Sequence, residues 1–316
     1  MGYRDFAIKR LSKDNIKQVY EMCENNVLYV SHSLDDFKKT TIYSKLFDPK
    51  LTAVLYNNKN QIIAFFMLLF RKSLVFKKRR KVLVLKFFVV EKTFRNKGIG
   101  TYLLLYLEEK ANSSSNNHFY QKFDVMASMP DYWYPGLDPR HSEALFFLNK
   151  HEFKKKGERI NLCLNLESIS NSEPKCDFEE YYITRVKQQD KSELIPLKFM
   201  SIRYRLSFWP EEIELTFKND PISTFIARSK QTGEIIGWAS HSIQFMGSFG
   251  PTGVKKKERG KGIGKNLLKW CLWDIKQIYN VKKVKINWVE MNNAYFYLKT
   301  TGARICEFYW VMQKRI

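Results

Sequence analysis

The sequence predicts an α/β chain (α+β in the order of its elements) made of two copies of one plan, on three observations. The hexapeptide Arg95-Asn96-Lys97-Gly98-Ile99-Gly100 recurs as Arg259-Gly260-Lys261-Gly262-Ile263-Gly264, five of six residues being identical. The strand and helix signals around the two copies follow the same order. A polar, turn-rich tract without periodicity lies between them. The expected division is a domain over 1–167, a linker over 168–179 and a second domain over 180–316.

Each copy opens on a short strand, 8–11 and 183–186, followed by a polar turn and a helix. Runs rich in β-branched and aromatic residues then predict strands at 52–56, 61–70 and 82–90, and at 223–229, 234–244 and 249–254. The hexapeptides open amphipathic helices, 101–112 and 265–279. There Leu103, Leu104 and Leu107 match Leu267, Leu268 and Cys271, spaced to line one buried face. A strand (123–127; 284–289), a helix (142–150; 294–300) and a last strand (159–166; 306–312) complete each copy. The polar tract 113–117 reads as a surface loop.

The 316 residues suffice for two cores, and 44% apolar with 27% charged residues predicts a folded chain. The longest apolar run, 62–70, is far shorter than the roughly 20 residues of a membrane span, and the first residues lack an apolar signal region. A cytoplasmic protein with no membrane partner is expected. Five cysteines without a C-x-x-C pair or a histidine at ligand spacing predict reduced thiols and no metal. The net charge of +22 divides at residue 170 into +12 and +10, and its clusters interrupt apolar segments. That distribution reads as solvated basic faces, with attraction of an anionic ligand, RNA or an acidic partner as the lesser readings.

A strand ending in Val89-Val90, a turn, and Arg-x-x-Gly-x-Gly opening a helix suits a pyrophosphate. Small residues let backbone N–H groups converge on the phosphate oxygens, and the helix N-terminus adds partial positive charge. Both hexapeptides resemble the acyl-CoA signature of the GNAT superfamily. The resemblance covers nearly the whole chain and implies two mixed, mostly antiparallel sheets of six or seven strands flanked by helices. It also implies acetyl-CoA (CoA) as cofactor, with its pantetheine arm in the gap where two parallel strands part. The cofactor-binding residues it implies are Val254, Arg259, Gly260, Lys261, Gly262, Ile263 and Gly264, and in the first copy Val90, Arg95, Asn96, Lys97, Gly98, Ile99 and Gly100. Dinucleotide folds would need a glycine turn directly after the first strand, which neither copy has.

The stretch from Asn293 to Ala303 resembles the family's Asn-x-x-x-Phe-Tyr-x-Lys-x-Gly-Phe, with one extra residue before the glycine. In the family the Asn bonds the cofactor arm and the Tyr hydroxyl faces the thioester sulfur. Asn293 and Tyr297, four apart, would share a helix face, and a phenol is a suitable donor to a departing thiolate. A tyrosine packed in the core is the plainer reading. The first copy has Glu143 and Phe147 at these positions, so it is expected to bind CoA or keep the fold without transfer. It also carries a loop, 130–141, dense in proline and aromatics, which reads as a structural plug or a substrate or regulatory site.

A thioester is attacked by a neutral amine, so a group must take the ammonium proton. Glu290 at the end of a strand is the leading candidate, with His241 and Glu258 behind it; proximity and backbone polarisation without a dedicated base is the alternative. The expected function is N-acetyl transfer by the second copy, from acetyl-CoA to a small-molecule or protein amine. Acceptor pockets of the family are built from variable loops, so the acceptor is not read from sequence. A non-catalytic acyl-CoA or metabolite sensor is the second reading, supported by the first copy's departures. RNA or ribosome association rests on charge alone.

Overall fold

The computed structural model describes residues 6–27, 33–75, 78–114, 122–130, 132, 134–200, 208–279 and 281–315. The chain forms two compact units, Met1–Gly157 with Tyr309–Ile316, and Glu158–Phe308.

The first unit holds β1 (Ala7–Lys9), α1 (Ile16–Asn26), α2 (Leu34–Thr40), β2 (Thr52–Tyr56), β3 (Ile62–Val75), β4 (Lys78–Val90), α3 (Ile99–Ser114), β5 (Lys122–Val125) and α4 (Ser142–Lys150). The second repeats that order. It has β7 (Tyr181–Arg185), α5 (Lys191–Met200), α6 (Trp209–Thr216), β8 (Thr224–Ser229), β9 (Ile235–His241), β10 (Ser248–Val254), α7 (Ile263–Tyr279), β11 (Lys283–Val289) and α8 (Met291–Thr301). Two longer strands, β6 (Lys154–Asn165) and β12 (Arg304–Arg315), run from one unit into the other.

The strand order is β1-β2-β3-β4-β5-β12 around the first unit's core and β6-β11-β10-β9-β8-β7 around the second's, all within one continuous hydrogen-bonded sequence of strands. In each, one central pair is parallel, β4 with β5 and β10 with β11, and the other pairs are antiparallel. The last strand of each sequence copy therefore completes the sheet of the other. The tract expected as a linker lies inside the second unit. There α7 supplies donors to its carbonyls: Trp270 Nε1 to Lys175 O (3.1 Å), Trp273 Nε1 to Asn171 O (3.0 Å) and Lys276 Nζ to Ile169 O. A turn-rich composition is as compatible with a strap fixed by side-chain donors as with a free linker.

Helices cover both faces of each sheet, which is why β3 and β4 read as nearly unbroken apolar runs. In the first unit Leu103, Leu104 and Leu107 of α3 pack on one face, and Val19 of α1 and Phe37 of α2 on the other. In the second, Leu267, Leu268 and Cys271 of α7 form one face, and Leu194 of α5 with Ile213 of α6 the other.

In the aromatic loop, Tyr132, Tyr134 and Leu137 are buried; Asp131 and Trp133 lie outside the described residues, as do 115–117 of the serine-rich tract. Leu137 and Trp310 exchange backbone hydrogen bonds of 2.9 and 2.8 Å. A Cβ on Gly136 would stand 2.5 Å from Trp310 O, so only glycine fits there.

Two of the five cysteines depart from the expectation of reduced thiols. Cys163 of β6 and Cys306 of β12 form a disulfide, with Cα atoms 5.7 Å apart. Their separation of 143 residues hid the pairing, which depends on which strands the fold brings together. Cys23, Cys176 and Cys271 are free. Among the described residues, no helix is long and apolar enough to cross a membrane. A thiol reagent should titrate three cysteines in denatured, unreduced protein and five after reduction; five before reduction would contradict the Cys163–Cys306 bond.

Candidate active site

The two hexapeptide turns have nearly the same conformation. Arg95 Nε donates to Val90 O at 3.1 Å and Arg259 Nε to Val254 O at 3.3 Å, so each arginine first secures the strand end. Left-handed backbone follows at Asn96 (φ 59°) and Gly98 (82°), and at Gly260 (88°) and Gly262 (78°). Asparagine tolerates the first position, and glycine takes it without steric cost. Ile99 and Ile263, both buried, anchor the helix that starts there. A left-handed turn thus leads directly into a helix N-terminus, an arrangement suited to a pyrophosphate.

What surrounds the turns differs. Arg95 is ion-paired with Glu143 of α4, and Lys97 donates to Thr93 O at 2.9 Å. Arg259 is exposed and pairs with no carboxylate among the described residues. Lys261 contacts Glu180 (2.8 Å) and Glu258 (3.1 Å), and hydrogen bonds to both raise its pKa, keeping it charged. A Cβ on Gly100 would come within 3.0 Å of the Phe147 ring, whereas one on Gly264 would meet Phe296 and Val254 at 3.6 Å.

Each parallel pair parts soon after it forms. In the first unit the last matched residues are Leu85 and Val125, and in the second Phe249 and Ile286. Directly beyond, both central strands carry a bulge. The first bulge residue, Lys86, is wholly buried and donates to Thr40 O at the end of α2. Its counterpart is Gly250, around whose Cβ position no atom of the described residues lies within 4 Å.

The helices after the parting strands also differ. Phe147 of α4 stacks on Phe88 (6.1 Å, 22°) and meets Phe66 edge-on (6.4 Å). Tyr297 of α8 is half-buried, edge-on to Phe249 (6.0 Å) and to Phe296 (5.0 Å). No hydrogen bond to its hydroxyl is found among the described residues, and burial pushes its pKa up, so it stays a proton donor. Asn293, one turn earlier, is exposed; its backbone N–H bonds Glu290 O at 2.8 Å. The Glu290 carboxylate, at the helix start, is paired with Arg159 at 3.1 Å.

The family model described as acetyltransferase (GNAT) family matches residues 16–128 and again 192–302. The chain belongs to that family. No curated protein matches it by sequence. Among solved structures it resembles a GCN5-related N-acetyltransferase from Sphaerobacter thermophilus (TM-score 0.73, 15% identity, 99% of this chain and 96% of that one). It also resembles a tandem GNAT protein from the clavulanic acid biosynthesis pathway (TM-score 0.69, 14% identity, 98% of each chain). A third likeness is to a fungal glucosamine N-acetyltransferase region within a multi-domain β-N-acetylglucosaminidase (TM-score 0.74, 19% identity, 98% of this chain). The present chain spans 38% of that fungal protein. These likenesses show a tandem GNAT fold, and acyl transfer is the chemistry of the family.

In this GNAT chain the other base candidates are engaged. His241 is wholly buried, with Nε2 2.9 Å from Asp274 and Nδ1 3.0 Å from Ser242 Oγ. Asp274 of α7 also accepts two hydrogen bonds from Arg185. Burial lowers the pKa of His241 despite Asp274, so it is neutral, donating from Nε2. Burial alone would raise Asp274, but the bonds from His241 and Arg185 hold it below the usual range. Glu258 faces Lys261.

The sequence reading missed an acid on the opposite face. Glu212 of α6 is 7% exposed, its nearest described partner Gln244 Nε2 at 3.3 Å, and burial with neighbouring Glu211 pushes its pKa up to about 8. Its position was readable, since Trp209, Glu212, Ile213 and Thr216 share the helical spacing of a buried stripe. The Arg185–Asp274–His241 cluster is structural. Asp274→Ala should cost about 3–5 kcal/mol in denaturant unfolding by leaving buried partners unpaired. The lowered His241 pKa means that the contribution of His241 to native stability falls as pH drops below 6.5, where the unfolded chain takes up a proton the fold refuses; a stability difference between the native protein and a His241→Gln variant that stays constant from pH 7 to 5 would contradict this.

Proposed function

We propose that the protein transfers an acetyl group from acetyl-CoA to a primary amine, and that the second unit performs the transfer. The observation that carries this reading is the contrast at matched positions. Where the first unit has an Arg95–Glu143 pair, a buried Lys86 and a stacked Phe147, the second has, among the described residues, no carboxylate on Arg259, no atom over the Cβ position of Gly250 and no hydrogen bond to the Tyr297 hydroxyl. The backbone of 260–264 with Arg259 and Lys261 would hold the pyrophosphate. Asn293 would bond the pantetheine arm, and Val254 would line it.

The cofactor supplies an activated acyl group as a thioester, and the chain's residues supply alignment and protons. As sulfur gains charge, the Tyr297 hydroxyl is a donor already protonated at any physiological pH. The raised pKa makes it a weaker acid, which suits a donor to a thiolate only once the C–S bond has begun to break. Glu290, the acid first expected as the base, is paired with Arg159 and in this reading positions the start of α8. An amino sugar is the first acceptor to test, because glucosamine is named for the fungal region.

Two substitutions test this assignment. Gly262→Glu places a side chain at φ +78° and a like charge against the pyrophosphate, so calorimetric affinity for acetyl-CoA should fall at least about tenfold, or about 1.4 kcal/mol. Unchanged affinity would move the principal site out of the second unit. Tyr297→Phe keeps the ring and removes the hydroxyl. Turnover should drop roughly 10²-fold with little change in KM for acetyl-CoA, because the bond forms only in the transition state. Full turnover by this variant would remove Tyr297 from the mechanism.

A further inference from the structure

The repeat lets each unit serve as a comparison for the other. In the first unit the bulge residue Lys86 sends a buried ammonium to the α2 side of the sheet, onto Thr40 O. In the second unit the matching Gly250 has φ +128°, a backbone that favours glycine, and no described atom within 4 Å of where a side chain would begin. The helix matching α2 is α6, which packs on β9 and β10. Thr216 of α6 bonds Thr224 Oγ1 (2.8 Å), which in turn bonds Ser240 Oγ (2.7 Å), on the strand that flanks the bulge. Glu212 stands one turn earlier on that helix and on the same side of it.

The surroundings of this space are polar and short of partners. Ser248 Oγ of β10, Asn287 Oδ1 of β11 and Trp238 Nε1 of β9 are buried without a hydrogen-bond partner among the described residues. All three belong to the α5–α6 face. Ser248 is in register with Lys285, two residues before Asn287, while Phe249, Ile286 and Ala239 belong to the core on the α7 face. Trp238 packs in the α5–α6 core. Three orphaned polar atoms on adjacent strands are unusual in a native interior, and a polar ligand would satisfy them.

Among the described residues no cation is paired with Glu212. On α6 its charged neighbour is Glu211. On α5, Lys191 lies over the Phe217 ring and Glu193 pairs with Arg228. On β9, His241 is bound to Asp274 on the other face, and β10 carries no charged residue. On β11, Lys285 is paired with Glu307 at 2.6 Å.

We propose that the acceptor's primary ammonium enters the second unit on the α5–α6 face at the Gly250 bulge, and that Glu212 is the group that takes its proton. This rests on the transferase reading above. The acceptor class is a primary amine carrying its own hydrogen-bonding groups, which Ser248, Asn287 and the Trp238 indole would engage. The ammonium proton passes to a Glu212 oxygen, and the nitrogen lone pair forms the N–C bond at the thioester carbonyl. The C–S bond breaks with its electron pair on sulfur, which gains a proton through Tyr297 while the nitrogen loses its second one. Glu212 then returns its proton to solvent, so the products are the amide, the thiol and one proton.

The test uses the full chain, acetyl-CoA, and glucosamine, spermidine and a short peptide with a free N-terminus, reading free CoA with a thiol reagent. Glu212→Gln keeps the shape and the Gln244 contact. Amine kcat/KM of the native protein should rise with pH through an inflection near 8, the value to which burial pushes Glu212. The variant should be roughly 10²-fold slower at pH 7, with unchanged acetyl-CoA affinity, and approach the native rate at a pH where the amine is neutral by itself. A merely structural role would not produce that convergence. A raised carboxyl pKa also means that the contribution of Glu212 to native stability declines as pH rises from 4.5 to 8, so the variant should melt higher than the native protein at pH 8.5 and not at pH 4.5. Native turnover with an unaltered pH profile in the variant, or equal melting temperatures at both pH values, would overturn the role of Glu212 alone. Native protein that turns over none of the amines would overturn the transferase reading and this proposal with it.

Discussion

Parallel strands that part after two matched residues leave backbone donors and acceptors without partners in the middle of a sheet. Such a gap persists only if something supplies the missing contacts. In the second unit β10 and β11 part beyond Phe249 and Ile286, and the bulge at Gly250 turns the strand away from its neighbour. The same strand leads into the positive-φ turn and the buried start of α7 at Ile263, and Tyr297 of α8 packs on Phe249, the last matched residue of β10. Closing the gap would remove the reason for each of them.

The first unit shows what closing it from within looks like. The backbone turn is kept, with the same arginine bond to the strand end and the same left-handed positions. Side chains then occupy the approaches: Phe147 against Gly100 and Phe88, Glu143 on Arg95, Lys86 at the bulge. Aromatic stacking and a buried ammonium bonded to a carbonyl stabilise that arrangement. Matched positions filled in one copy and open in the other are better evidence for a division of labour than either copy alone, since the backbone is the same.

Much of this was legible in the sequence because it depends on local chemistry. The hexapeptide specifies its turn through glycine and asparagine at the left-handed positions, and the stripe of Leu267, Leu268 and Cys271 specifies the buried side of α7. The exchange of β6 and β12 was not legible. Both strands read correctly as strands, but which sheet they join is settled by long-range pairing such as Val284 with Leu164 and Gln313 with Asp124. The Cys163–Cys306 bond follows from that exchange and was hidden with it. From sequence His241 is a candidate base, yet its partner Asp274 lies 33 residues away on a helix, where sequence spacing gives no hint of contact.

The second unit buries two carboxyl groups in opposite circumstances, and the difference separates structure from chemistry. Asp274 accepts from a guanidinium and an imidazole, so its charge is compensated and its pKa falls; such a group contributes to the fold and is unavailable for proton transfer. Glu212 has an amide and a neighbouring acid for company, so burial raises its pKa toward the range where a proton is exchanged easily. A glutamate in that position makes the free protein less stable at neutral pH than a glutamine would. On the proposal made for this site, an arriving ammonium would supply a counter-charge to Glu212. Groups that weaken the fold and are satisfied only by a ligand belong, on physical grounds, to the site and not to the scaffold.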